Sequence, residues 1–284
     1  PALLVSAALA LALSLVLPFA IHMTFIAPYQ VVIERVDVPI DKNRAGEQPV
    51  KIVVLADIQT TSIGAYEEEV LSKVNALEPD LILIAGDVLQ NYSNPGAYTR
   101  HLPAMQGWLN RLESKHGVYY VRGDVDAEAE RLVEGVDMTF LKDQKTEPLR
   151  IKDRVITIGG VELTYWKPPA KQLVRQLEEA PGEEDIRIVL AHRPGVVEMS
   201  MPTDARKSRV DLVVTGHTHG GQVSIPFFGP PITMSVLPRH IAAGGLHAHH
   251  GRRVYVSRGV GMERDLAPRM RLNCHPEITL LTLR

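Results

Sequence analysis

Cysteine is almost missing from this chain. Cys274 is the single one among 284 residues, so no intrachain disulfide framework exists and an apolar core must hold the fold. Charge of one sign is missing too: 31 Lys and Arg face 33 Asp and Glu, a formal −2, which gives a nucleic-acid partner no basic footing. Aromatic residues reach only 5% within a hydrophobic share of 45%, so the core is mainly aliphatic. Repeats and low-complexity linkers are absent, and the soluble part reads as one domain.

Charge of either sign is also absent from the beginning of the chain, where Glu34 is the first ionised side chain. From Ala2 to Ala27 the only polar side chains are Ser6, Ser14, His22 and Thr24. A bilayer is crossed by about 20 apolar residues, whereas a signal peptide's apolar core is about 7–15. Residues 1–28 are therefore expected to be a single-pass transmembrane helix, kinked at Pro18, in a bacterial-type inner membrane. The side of the membrane is left open. Residues 29–284 form the domain it anchors.

Long apolar runs of another kind are plentiful. Lys51–Ala56, Asp80–Ala85, Gly117–Val121, Ile186–Leu190 and Val210–Val214 are short and rich in Val, Ile or Leu, as strands covered on both faces are. Each ends at a ligand-type side chain: Asp57 and Gln59, then Asp87, Asp124, His192, and the pair His217 and His219. In open α/β sheets the site lies beyond the carboxyl ends of the strands, so these ends are expected to meet. Together they suffice for two divalent cations with positions left for water and substrate.

The ordered motifs Asp57-Ile-Gln59, Gly86-Asp87, Gly123-Asp-Val-Asp126, His192 and Gly216-His-Thr-His219 resemble the calcineurin-like metallophosphoesterase superfamily, over roughly residue 49 to the C-terminus. Gly216–Gln222, Tyr255–Gly261 and Pro276–Leu283 look most like its membrane-associated branch, which includes enzymes cleaving lipid-linked pyrophosphates such as UDP-diacylglucosamine. The resemblance implies a four-layer α/β/β/α sandwich of two mixed sheets. It also implies that Asp87 bridges two metals, with Asp57, Gln59 and His219 on one and Asp124, His192 and His217 on the other.

Three positions depart from the pattern. Gln59 stands where the family has histidine and Asp124 where it has asparagine, so the donor set is rich in oxygen and favours manganese over iron or zinc. Val125 replaces the histidine that serves the leaving group, and Asp126, the remaining titratable residue of that motif, or a metal-bound water is expected to take over that role.

Elsewhere, strands are expected at 31–38, at 155–158 and 161–165 as a hairpin about Gly159-Gly160, and at 254–257 and 278–283 closing the second sheet. Helices are expected at 66–77, within 96–114 and around 171–179. The polar loop 90–95 should border the site, and Trp108 and Cys274 read as core. Arg193 reads as a phosphate contact or a surface ion pair, and the loops 199–202 and 227–231 as packed segments or lipid contacts. His240, His247, His249 and His250 could form a further metal site. The expected activity is hydrolysis of a phosphate ester or pyrophosphate, lipid-linked or near the membrane; the alternative is a catalytically degenerate subunit of a membrane complex.

Overall fold

The computed structural model describes residues 6, 14, 16–41, 44, 46–90, 94–201, 208–263 and 267–284. Among these no helix is long and apolar enough to cross a membrane. Thirteen residues of the expected span, 1–5, 7–13 and 15, lie outside the described residues, as do 91–93 of the polar loop and Pro202 of one apolar loop.

In chain order the strands begin with β1 (Val32–Val38), β2 (Val50–Leu55), β3 (Leu81–Ile84), β4 (Val118–Tyr120) and β5 (Thr139–Phe140). Next come β6 (Gln144–Lys145), β7 (Leu149–Ile151), β8 (Arg154–Val161), β9 (Ile186–Ala191) and β10 (Leu212–Thr215). The last three are β11 (Gly245–His249), β12 (Arg252–Val256) and β13 (Glu277–Leu283). The helices are α1 (Ala65–Asn75), α2 (Pro95–Leu109), α3 (Ala129–Val133), α4 (Pro168–Glu179), α5 (Val196–Met199) and α6 (Arg239–Ala242).

Two mixed sheets result. The first runs β1-β13-β2-β3-β4-β5 and the second β11-β12-β10-β9-β8-β6, with β7 also on β8. Inside each apolar run, alternate residues serve different cores. Val53, Leu55, Ile82 and Ile84 pack outward under α1 and α2 with Val70, Val74, Met105 and Trp108. Their neighbours Ile52, Val54, Leu81 and Leu83 pack inward on Ile156, Ile188, Leu190 and Val214 of the second sheet. Val189, Val213 and Val254 then cover its far face beneath Leu173, Val174 and Leu177 of α4. Three cores between four layers make the α/β/β/α sandwich, and burial on both faces is why the runs carry no polar alternation.

Register sets the site. Leu55, Ile84 and Tyr120 are aligned across parallel strands, and so are Leu190, Val214 and Tyr255. The residues that follow leave both sheets at one edge.

Two expectations fail here. Gly159 and Gly160 lie within β8, not at a hairpin turn. A Cβ on Gly159 would fall 2.4 Å from Leu177 Cδ1, and one on Gly160 2.1 Å from Leu141 Cβ, so the pair marks close approach on both faces of the strand. The hairpin is instead β7–β8, turning at Lys152 and Asp153. β13 joins the first sheet rather than the second, parallel to β1 and antiparallel to β2. α2 also starts earlier than its apolar stripe because Asn94 caps it, accepting from the Ala97 N–H at 3.1 Å with Pro95 next.

Candidate metal centre

The loops after β2, β3 and β4 are stitched together by backbone. Asp57 N–H donates to the Gly86 carbonyl at 3.0 Å and Gln59 N–H to the Asp87 carbonyl at 2.9 Å. Packing is so close that a Cβ on Gly123 would lie 2.1 Å from Asp87 Oδ1, which is why only glycine serves there. Asp57, Gln59, Asp87, His217 and His219 all have positive φ, between 40° and 73°. Left-handed backbone costs a non-glycine residue about 1–3 kcal/mol and gathers at functional sites, where it aims side chains inward.

Most of the expected ligands are brought together. Oxygen and nitrogen atoms of Asp57, Asp87 and His192 lie within 4.8 Å of one another, and so do those of Asp124, His192 and His217. His192 Nδ1 sits 2.8 Å from the Ala85 carbonyl, which fixes its ring and aims Nε2 at Asp87 Oδ2 and Asp124 Oδ2, 3.3 and 3.4 Å away. His217 Nδ1 is 2.9 Å from Asp124 Oδ2, and its own N–H donates to both Asp57 oxygens at 3.0 Å. His219 Nε2 is 3.9 Å from Asp57 Oδ1.

Burial and close neighbours shift the charge of these side chains. Burial, opposed by His192 and reinforced by Asp87, pushes the Asp57 carboxyl up to about 8. Burial works against charge on His192 as well, yet Asp87, Asp124 and Asp57 around it hold its imidazole well above the usual range. Asp124 is pushed up by burial too, but His192, His217 and Arg193 more than offset this and hold it well below an ordinary carboxyl. Burial, with help from Arg271, keeps His219 neutral, and both its ring nitrogens are buried without a hydrogen bond. A buried polar atom left so costs about 1–3 kcal/mol. A neutral imidazole whose two ring nitrogens make no hydrogen bond, beside buried carboxylates, fits divalent cations.

Two residues, Asp126 and Gln59, differ from expectation, and Arg193 takes the ion-pair reading. Asp126 faces away from the centre. Its Oδ2 accepts from the N–H groups of Asp87 and Gly123 and the Tyr120 hydroxyl at 2.8–2.9 Å, and its Oδ1 from Val88 N–H at 2.8 Å. With both oxygens occupied it braces the loops. Gln59 presents its amide nitrogen, not its carbonyl, to Asp87 Oδ2 at 3.0 Å. Arg193 closes a fork on Asp124, with Nε to Oδ2 at 3.1 Å and a terminal nitrogen to Oδ1 at 2.5 Å. Val125 is buried, and its N–H donates to Asp87 Oδ1 at 2.9 Å.

Motif reading overlooked two supports. Arg271 is wholly buried and donates to the carbonyls of Arg258, Gly259, Gly261 and Cys274, fixing the loop that backs Asp57. Gly261 N–H completes that brace on the Asp57 carbonyl at 2.7 Å. No local pattern marks an arginine that serves mainly carbonyls. The Tyr120 hydroxyl could have been suspected, because a tyrosine buried in a strand needs a partner.

The chain is similar to phosphodiesterase YaeI of Escherichia coli, with 42% identity covering 83% of this chain and 82% of that one. It is similar to the uncharacterized metallophosphoesterase YkuE of Bacillus subtilis, with 28% identity covering 82% and 79%. Among solved structures, the phosphopantetheinyl hydrolase of Mycobacterium tuberculosis aligns with a TM-score of 0.44 and 12% identity, covering 78% of this chain and 94% of that one. Residues 50–221, from β2 to just past His219, match the family model for calcineurin-like phosphoesterases, and the chain belongs to that family.

Proposed function

We propose that the protein is a hydrolase of phosphodiester or pyrophosphate bonds that works at a membrane surface with two divalent cations. The carrying observation is the gathering of Asp57, Asp87, Asp124, His192 and His217 from five strand ends into overlapping sets within 4.8 Å. His192 belongs to both sets, and its Nε2 lies 3.3 Å from Asp87 Oδ2. Asp57 and His219 would hold one ion, and Asp124 and His217 the other. Gln59 keeps the Asp87 carboxylate oriented through its amide. When bound, the cations supply Lewis acidity and neutralise phosphate charge, and the oxygen-rich donors favour manganese.

The substrate class follows from what stands beside the ligands. Val125 carries no proton to give, and Asp126 is locked into the loops. Such a site suits a leaving group that departs without protonation, as the phosphate of a pyrophosphate or an activated alcohol does. Arg193, with over a third of its side chain exposed, can exchange Asp124 for a phosphate oxygen. The name of the Escherichia coli relative, a phosphodiesterase, supports the diester class.

A membrane setting is supported by two apolar surfaces. Ile225, Phe227, Phe228, Ile232, Met234 and Val236 are exposed on one loop, and the Met234 carbonyl lies 3.2 Å from His217 Nε2. Val16, Leu17, Phe19 and Phe25 are exposed near the start of the chain, where Arg271 N–H holds the Met23 carbonyl at 2.9 Å. The neighbouring Leu272 bridges to Val223 at the base of the loop. A site flanked by such surfaces meets phosphate in a headgroup layer. The test is turnover by purified protein with manganese, iron or zinc, on aryl phosphodiesters of graded leaving-group pKa and on a lipid pyrophosphate. Rates should fall steeply as leaving-group pKa rises. No turnover with any metal by folded protein would leave the non-catalytic subunit as the reading.

A further inference from the structure

The four histidines at 240, 247, 249 and 250 divide into two pairs. His240 and His247 meet edge to face at 5.9 Å, with His247 Nε2 3.0 Å from the Gly244 carbonyl. His249 and His250 turn to α5 instead. There Glu198 Oε1 lies 2.6 Å from His249 Nε2, and Glu198 Oε2 lies 3.2 Å from His250 Nε2.

We propose that Glu198, His249 and His250 form a separate surface site for a divalent transition ion of the zinc, nickel or copper type. Their ligand atoms lie within 4.8 Å of one another. Around a tetrahedral ion with bonds of about 2.0–2.2 Å, such atoms stand about 3.4 Å apart, which small side-chain rotations here would reach. Two imidazoles with one carboxylate select these metals over magnesium or calcium. The side chains are 15% to 38% exposed, so an ion can enter and keep water on its open positions.

The backbone is bent to make this pairing. Adjacent strand residues ordinarily point to opposite faces. His249 ends β11 opposite Arg252, and the intervening His250 and Gly251 have φ of 47° and 70°, the signs of a type I′ turn. Glycine, asparagine or aspartate suits the first of those positions, whereas histidine is strained there. In this turn His250 comes round to the same carboxylate as His249.

The cluster is distinct from the strand-end centre. Val256, paired with Thr215, marks the centre's end of β12, whereas His249 pairs with Arg252 at the opposite end. β11 is an edge strand, and α5 follows His192 and Arg193 after a short turn. An ion here would tie the sheet edge to the segment that presents those two residues.

Zinc titration of the chelator-stripped full chain tests this, comparing wild type with His250→Gly and Glu198→Gln. Glycine fits the turn, so His250→Gly should keep or raise the melting temperature while zinc affinity at one site falls about tenfold or more. Glu198→Gln should lose the same site, and manganese-dependent activity should not change in either variant. Zinc stoichiometry and affinity equal to wild type in both variants would overturn the proposal. So would a lowered melting temperature in His250→Gly with zinc binding intact, which would make His250 structural only.

Discussion

On the deep side of the centre, Asp57, Asp87 and His219 are buried and fixed by left-handed backbone and close glycines. On the shallow side, Asp124 and His217 keep a quarter and a fifth of their side chains open. Burial, reinforced by Asp87, pushes the Asp57 carboxyl on the deep side up to about 8. The shallow one is already matched by Arg193, His192 and His217. One side is rigid and buried; the other is adjustable, with Arg193, His192 and His217 already on its carboxylate. The expected consequence is unequal metal affinity, tighter on the deep side.

Asp124 and Asp126 allow the sharpest break of this comparison, because they sit in one turn and serve opposite ends. Asp126→Ala strips the acceptor from three N–H groups and a hydroxyl, and should cost about 3–5 kcal/mol in denaturant unfolding. Asp124→Ala should cost about 1 kcal/mol or less, since its partners are partly exposed, yet lower turnover by about a hundredfold or more. Equal stability losses would erase the distinction.

The next largest effect is on pH. Asp57 has a folded value near 8 against an ordinary 3.8, so between those values the folded chain binds more protons than the unfolded one. Stability of the metal-free chain is therefore full below about pH 4 on this group's account and is lost as pH rises toward 8. His192, also raised, works in the same direction. Saturating manganese should flatten the curve, and metal uptake near pH 7 should release protons, seen as buffer-dependent heats in titration calorimetry. Metal-free protein whose melting temperature climbs over that interval would contradict this.

Smaller still is the effect of Arg193. Arg193→Ala frees Asp124 and should tighten the weaker ion about threefold to fivefold with little change in stability, while KM for an anionic substrate rises. Weaker binding of that ion would show that the fork positions Asp124 rather than competing for it.

Much of this frame was readable from residue order. Strands buried on both faces must be continuously apolar, so the runs before Asp57, Asp87 and His192 declared themselves, and the chemistry had to lie at their ends. What could not be read depends on contacts between distant segments. Gly159-Gly160 looks like a turn until Leu177 and Leu141 occupy the two faces of β8. β13 has the same apolar pattern in either sheet, and only its pairing with β1 and β2 decides. Asp126 reads as a neighbour of Asp124, but the turn directs it to amides behind the site. Arg271 carries no signal at all, since its partners are mainly carbonyls.

Metal content is the most direct test of the central claim that these strand ends hold cations. Full-length wild type and Asp87→Ala, each loaded with manganese and dialysed, are compared by elemental analysis. Wild type should retain about two ions per chain and the folded variant close to none, because Asp87 is the ligand expected to bridge the two ions and contacts His192, the residue common to both sets. Equal manganese in the two proteins would contradict the account.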